Sequence, residues 1–452
     1  MSALAQIVRA RGDAASGSDR YFDRGEMPER RGKLAAQGIR IVPQDGSGVH
    51  PGIRHFVVSS AIEEDNPDCV KARRLHLTPI HRSALLAALF HERARRVAVT
   101  GSYGKTTIAA MIGWGLETAG ERPLIVVGGI MRNFETDQAI GNAHAGGGDV
   151  ACIEADESDG TCVNYRPTVG VITGFARDHK EITELQQLYT SFAENTTEHL
   201  VLSMEAAASL FSLGTARRTT FGLTDGDVRA RQVRFSAREV RFSVGNSRFR
   251  LHQIGPFSVF NALAAIAALR LLGVQDRDIA RGLRTFEGVA RHMEPVGRAR
   301  EVRVYDDLAH NPSKIDAAIE AARRAGARGV KVIFQPHGFG PARFMRRELA
   351  EMFKRVLSDS DRAYLLPIYY VGGSVQADIS SDDLARDAGD LGAPVESVAD
   401  RKEVVERVIR DARPDDAIIV MGARDESLSA LARQILDRLA PRPGGDRVGY
   451  ST

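Results

Sequence analysis

The stretch RVAVTGSYGKTT, residues 96–107, decides the reading of this chain. A β-branched run enters a glycine-rich turn and leaves into an amphipathic helix, which is the strand–loop–helix order of a phosphate-binding loop. Gly101 and Gly104 allow backbone N–H groups to turn inward toward phosphate oxygens, and Ser102 and Tyr103 complete the turn between them. Lys105 reaches β- and γ-phosphates, the Thr106 hydroxyl suits Mg²⁺, and Thr107 continues the helix, whose positive end favours an anion. The usual first glycine of the longer motif is replaced by Val99, so the loop has the shorter GxxGK[ST] form. A chance GKT in a strand–turn–helix is the competing reading. The loop alone implies nucleotide binding and leaves the reaction open.

Working outward, short apolar runs alternate with amphipathic helical stretches, which predicts an α/β architecture. Strands are expected at 56–59, 96–100, 124–127, 150–154, 169–173, 302–305, 330–334 and 417–421. Helices are expected at 83–91, 106–118, 261–272, 278–285, 314–325 and 426–439. The period-two pattern of 219–251 predicts a small antiparallel sheet inserted among them. Breaks near residues 94 and 291 suggest three blocks: 1–94, 95–290 and 291–452.

Composition narrows the class. The 452 residues are 43% hydrophobic, enough for several cores without a metal or disulfide staple. The net charge of +3 is small, and the basic residues are scattered among acids, which argues against nucleic acid as a partner. Cys69, Cys152 and Cys162 fit no disulfide framework or zinc spacing, which favours a reducing compartment. No run approaches the roughly 20 apolar residues of a membrane span. The first residues lack the apolar stretch of a signal peptide. A cytoplasmic location without membrane attachment is expected. Trp114 reads as helix core, and Cys152 and Cys162 as buried thiols.

Acids follow the second apolar strand in VACIEADESDGT (150–161), where a metal–phosphate site would lie in an open α/β sheet. A further strand, VGVITG (169–174), ends near Asp178 and His179. Carboxylate oxygens suit Mg²⁺, and a histidine ligand is less usual. On spacing alone, caps and turns explain these acids equally well.

The order of GSYGKTT, EADESDGT, the Asp178–His179 pair, NALAAIAAL (261–269), DDLAHNP (306–312) and FQPH (334–337) resembles the Mur ligase family. SGSDR (16–20) and VVSSAIEEDNP (57–67) extend the resemblance toward the N-terminus, and the alanine-adding branch matches best. The resemblance implies three domains: a truncated Rossmann-like N-terminal domain for a UDP-sugar, a central P-loop ATPase and a Rossmann-like C-terminal domain for an amino acid. It implies an ATP- and Mg²⁺-dependent ligase that activates a carboxylate as an acyl phosphate and joins it to an amine. Lys105, Glu154 and His179 would then be catalytic, with Mg²⁺ on Thr106, Glu154 and His179. Asn261, His292, Asp307 and His310 would line the nucleotide. Ser60 and Arg82 would lie toward the UDP-sugar-like acid, and His337 and Arg343 toward the amine.

Four departures stand out. The family's N-terminal strand and glycine loop have no counterpart, so that either the true start lies upstream or the UDP site is reduced. His292 in GVARHMEPVG takes the place of an arginine on ATP phosphate. Phe257 and Ser258 replace a His-Asn pair before Asn261, and Gly338 and Pro341 replace side chains expected near the amine. A ligase of this family with altered substrates, for muropeptide recycling or secondary metabolism, and a non-catalytic nucleotide-binding relative are the alternatives.

Overall fold

The computed structural model describes residues 1–176, 181–370 and 377–440, and the chain divides into two compact units. The first comprises Met1–Val233, Arg241–Leu251 and Val259–Val289. The second comprises Arg234–Val240, His252–Ser258 and the chain from Ala290 onward.

The first unit is built on an eight-stranded sheet. Its spatial order is Val228–Arg229, Arg217–Gly222, His199–Ser203, Val169–Ile172, Arg95–Thr100, Val150–Glu154, Leu124–Val126 and Ala143–Ala145. Every neighbouring pair is parallel except the last, Leu124–Val126 with Ala143–Ala145, which is antiparallel. Val97, Ala98, Val99 and Val150–Ile153 are fully buried, as expected of parallel strands covered on both faces. Arg95–Thr100 has the later strands Val150–Glu154 and Val169–Ile172 on either side. It is therefore the point where chain order reverses, and the crevice beyond its carboxyl end is where such sheets bind ligands.

Residues before the sheet share its core. Helices Ser2–Ala10 and Arg82–His91 place Leu4, Ile7, Leu86 and Phe90 in one apolar cluster with Ala98, Ile153 and Ile172. Two short parallel pairs, Ser16–Gly17 with Arg40–Ile41 and Phe56–Val58 with Pro79–His81, complete this region.

The second unit has a six-stranded sheet ordered Glu294–Ala299, Val302–Asp307, Ala417–Met421, Val330–Phe334, Arg362–Leu365 and Val395–Ser397. The first pair is antiparallel and the rest are parallel. Side-chain alternation feeds two cores. Val330, Val332, Phe334, Ile419 and Met421 pack with helix Pro312–Arg324, while Ile333, Ile418 and Val420 pack with helix Leu428–Leu439. Helix Pro312–Arg324 starts with proline at its first position and Asn311 Oδ1 accepting from Lys314 N at 3.0 Å.

Three expectations are corrected. The inserted sheet consists of Arg231–Phe235, Val240–Val244 and Ser247–Leu251, whereas Arg217–Gly222 belongs to the large sheet. Pairing with His199–Ser203 outweighs the alternating pattern, which looks the same in either sheet. The helix expected from residue 261 begins at Pro256, because a proline suits the first helical turn and Gly255, at φ +88°, supplies the bend before it. Trp114 is only half-buried, its Nε1 donating to Thr285 Oγ1 at 3.0 Å, while Cys152 and Cys162 are buried.

Candidate nucleotide site

The turn after Arg95–Thr100 is held from the neighbouring strand end. Ser102 N donates to Gly174 O at 3.0 Å, and Thr173 Oγ1 donates to Tyr103 O at 2.5 Å. Gly101 has φ +124°, and a Cβ there would lie 2.1 Å from Thr173 Oγ1. Gly104, at φ +76°, caps helix Lys105–Thr118 without any side-chain bond to the helix's first N–H groups. A Cβ on it would meet Asn261 Oδ1 at 2.5 Å, so Asn261, though distant in sequence, is buried against the loop. Ser102 Oγ lies 3.3 Å from Tyr189 Oη, and Thr107 is half-buried on the helix's first turn.

Two carboxylates face the loop's cation and hydroxyl. Lys105 Nζ lies 2.8 Å from Glu157 Oε2, and Thr106 Oγ1 donates to Glu154 Oε1 at 3.0 Å. The other Glu154 oxygen accepts from Gly128 N at 2.6 Å. Burial pushes both carboxyl pKa values above the ordinary range, and Lys105 only partly opposes this. Burial by itself would lower the Lys105 ammonium's pKa, yet Glu157 and Glu154 together raise it. Among the described residues the site thus gathers two buried carboxylates about the Lys105 cation and the Thr106 hydroxyl.

The other expected residues divide between the units. In the first, Arg82 Nη2 binds Asp159 Oδ2 at 2.6 Å, and Ser60 lies exposed in the turn after Phe56–Val58. Burial tends to raise the Asp159 pKa, but bonds from Thr161 and the charge of Arg82 bring it below its ordinary value. In the second unit, Asp307 accepts from Met293 N at 2.6 Å and Ala309 N at 2.7 Å. Burial raises its pKa and the nearby His292 works against that rise. The His310 and His337 rings stand 5.4 Å apart at 75°, and Arg343 binds Asp378. Arg291, beside His292, is buried and committed to Asp306 Oδ1 at 3.2 Å and to the carbonyls of Gly422 and Asp425. Asp178 and His179, the latter an expected catalytic and metal-binding residue, lie outside the described residues.

Residues the motif did not single out also shape the loop. Glu157 pairs with Lys105, Thr173 anchors the turn, and Gly128 leaves room for the Glu154 carboxylate, which a Cβ would approach to 2.8 Å. Glu157 was legible as an acid of EADESDGT. Thr173 and Gly128 carry no local signal, since their roles come from strand pairing.

Comparison with known proteins gives the same frame. Residues 1–94 match the family described as Mur ligase family, catalytic domain, residues 99–269 the Mur ligase middle domain, and residues 291–424 the Mur ligase glutamate ligase domain. A UDP-N-acetylmuramate–L-alanine ligase of Carboxydothermus hydrogenoformans is 31% identical over 438 residues, covering 94% of this chain and 91% of the relative. The chain belongs to the Mur ligase family. A second relative of the same name, from Cutibacterium acnes, is 33% identical over 449 residues, covering 95% of this Mur ligase and 92% of the relative. The solved UDP-N-acetylmuramate–alanine ligase of Thermotoga maritima shares the fold with a TM-score of 0.79 at 24% identity, covering 97% of this chain and 96% of that one. The murein peptide ligase of Psychrobacter arcticus does so with a TM-score of 0.65 at 20% identity and 97% and 96% coverage. The architecture is thus α/β with the three Mur ligase domains. Among the described residues no helix is long and apolar enough to cross a membrane.

Proposed function

We propose that this Mur ligase adds an amino acid, L-alanine or one close to it, to the carboxylate of a UDP-N-acetylmuramate-like acceptor, an amide-forming step of peptidoglycan precursor synthesis. The family's chemistry is ATP-dependent carbon–nitrogen ligation on small molecules, and relatives named for the alanine reaction match nearly the whole chain. The observation that carries the reading is the joining of Lys105, Thr106, Glu154 and Asn261 to one glycine turn at the sheet's switch point.

In this reading Gly101–Thr107 hold the triphosphate, with backbone N–H groups and Lys105 on the β- and γ-phosphates. The acceptor carboxylate attacks the γ-phosphorus, the bond to the bridging oxygen breaks and ADP leaves. The amine nitrogen then attacks the acyl carbon, loses a proton and displaces phosphate. Lys105 stabilises charge on the transferring group, and the loop aligns it with the attacking oxygen. Thr106 and Glu154 offer hard oxygens 3.0 Å apart, and the raised Glu154 pKa marks a carboxylate that a cation would relieve. The two therefore fit Mg²⁺, and His179, outside the described residues, would be the third ligand that the family resemblance implies. When bound, Mg²⁺ would neutralise phosphate charge. Asp307, His292 and His310 would serve the nucleotide, His337 and Arg343 the amine, and Ser60 and Arg82 the acid. Blocks 1–94, 95–290 and 291–452 would carry acid, ATP and amine in turn.

The test is release of ADP and phosphate by the full chain with UDP-N-acetylmuramate and a panel of amino acids. Release that requires both acid and amine supports the reading, and L-alanine should be among the best amines. Release with another amine alone would move the function to an altered-substrate ligase. ATP binding with no amide under any combination would overturn catalysis.

A further inference from the structure

Tyr103, in the middle of the phosphate loop, reaches out of the turn. Its hydroxyl donates to Glu205 Oε2 at 2.5 Å, on helix Met204–Ser209. That helix follows strand His199–Ser203, which pairs with Val169–Ile172. Its start is fixed by Ser203 Oγ accepting from Ala206 N at 3.0 Å. The Tyr103 ring lies 5.9 Å from the Phe260 ring, which in turn lies 4.9 Å from Phe221. Space for the contact is kept by Gly174, at φ +148°. A Cβ there would sit 2.0 Å from the Tyr103 hydroxyl oxygen and 2.6 Å from Glu205 Oε2. The same loop residue is also held through its carbonyl by Thr173 Oγ1 at 2.5 Å. The loop is thus tied at backbone and side chain to the two strand ends on one side of it.

We propose that Glu205 is a positioning residue for ATP, acting through the Tyr103 hydroxyl to hold the phosphate loop in its binding shape. The proposal rests on the reading of Gly101–Thr107 as the ATP site. Ordering the turn beforehand means that less of the binding energy is used to fix it when the triphosphate arrives. Glu205 is exposed, and among the described residues its hydrogen-bond partner is Tyr103, through which its influence runs.

The test measures ATP affinity and the ATP KM in Tyr103→Phe, Glu205→Ala, their combination and Glu205→Gln, with Lys105→Ala as reference. Tyr103→Phe and Glu205→Ala should each weaken ATP by about three- to tenfold, the scale of the net contribution of one ordinary hydrogen bond. The double variant should be no weaker than the singles, because both remove one bond. Gln, which keeps an acceptor for the Tyr103 hydroxyl, should restore most of the affinity. The losses should fall on KM more than on kcat. Unchanged affinity in the singles, or additive losses in the double, would overturn the latch while a collapse in Lys105→Ala leaves the ATP site standing. Full ATP affinity in Lys105→Ala would remove the ATP-site reading and the latch with it. A lowered melting temperature with unchanged ATP affinity would show a bond that serves stability alone, and the proposal would fall.

Discussion

Lys105 and Glu157 form a close, mostly buried ion pair, Nζ to Oε2 at 2.8 Å. The lysine proposed for phosphate thus has an anionic partner, with which ATP would compete. Removing one member of a buried pair leaves the other charge uncompensated, which costs on the order of 3 kcal/mol. Glu157→Gln also removes a carboxylate whose charge burial disfavours, so the melting temperature measured without ATP should fall by less than that figure implies. Saturating ATP should then raise that temperature more than in the wild type, because the triphosphate supplies the missing negative charge. Thermal melts with and without ATP check this, and an equal ATP-induced shift in both proteins would count against it.

Lys105→Met removes the loop's cation but keeps much of its bulk. Turnover should fall by roughly a thousandfold or more, the scale for losing a charge that stabilises a transferring phosphoryl group. Steady-state ADP release with both substrates is the measurement. Retention of more than about a tenth of the activity would contradict the role given to Lys105.

Glu154 gives a pH-dependent prediction. Its folded pKa is raised by burial above the ordinary 4.5, so the folded state binds the proton more tightly than the unfolded chain. Stability from this group is present below the unfolded value and is lost as pH rises through the folded one. Glu154→Gln resembles the protonated form. The nucleotide-free variant should be more stable than wild type at about pH 8, and that gain should vanish toward pH 4.5. Catalysis should fail at both. Urea unfolding at the two pH values decides the matter, and a variant less stable at the higher pH would refute it.

At Gly101 two costs coincide, a positive φ of 124° and a Cβ placed 2.1 Å from Thr173 Oγ1. Gly120 has φ +84° with nothing within 4 Å of where a methyl group would sit, so it isolates the backbone cost. Gly120→Ala should lose about 1 kcal/mol, whereas Gly101→Ala should lose on the order of 2 kcal/mol or more and also ATP binding. Denaturant melts and an ATP titration separate the two. Equal losses would mean that the close approach to Thr173 carries no weight.

The Arg82–Asp159 pair tests a structural role against a substrate role. Asp159 has a lowered folded pKa, so its contribution is present above the ordinary 3.8 and is lost as pH falls through the folded value. With Arg82 about a third exposed, Arg82→Ala should cost no more than about 1 kcal/mol at neutral pH, and less in acid. If Arg82 also binds the acid substrate, the variant's KM for that substrate rises while the ATP KM stays. A stability loss with no change in either KM confines Arg82 to the scaffold.

Local chemistry wrote the phosphate loop into the sequence. Gly101, Gly104, Lys105 and Thr106 are neighbours in the chain, and glycines before a helix have few other uses than a turn of this kind. The strands Val150–Glu154, Val330–Phe334 and Ala417–Met421 were legible to the residue, because parallel strands buried on both faces read as unbroken apolar runs. The ordered motifs named the family. Tertiary structure alone decided the partners: that Glu157 takes Lys105, that Thr173 and Asn261 press on the two glycines, and that Arg217–Gly222 joins the large sheet. Those contacts join residues far apart in the chain, and a one-dimensional pattern fixes which face a side chain occupies but not which distant side chain stands opposite it.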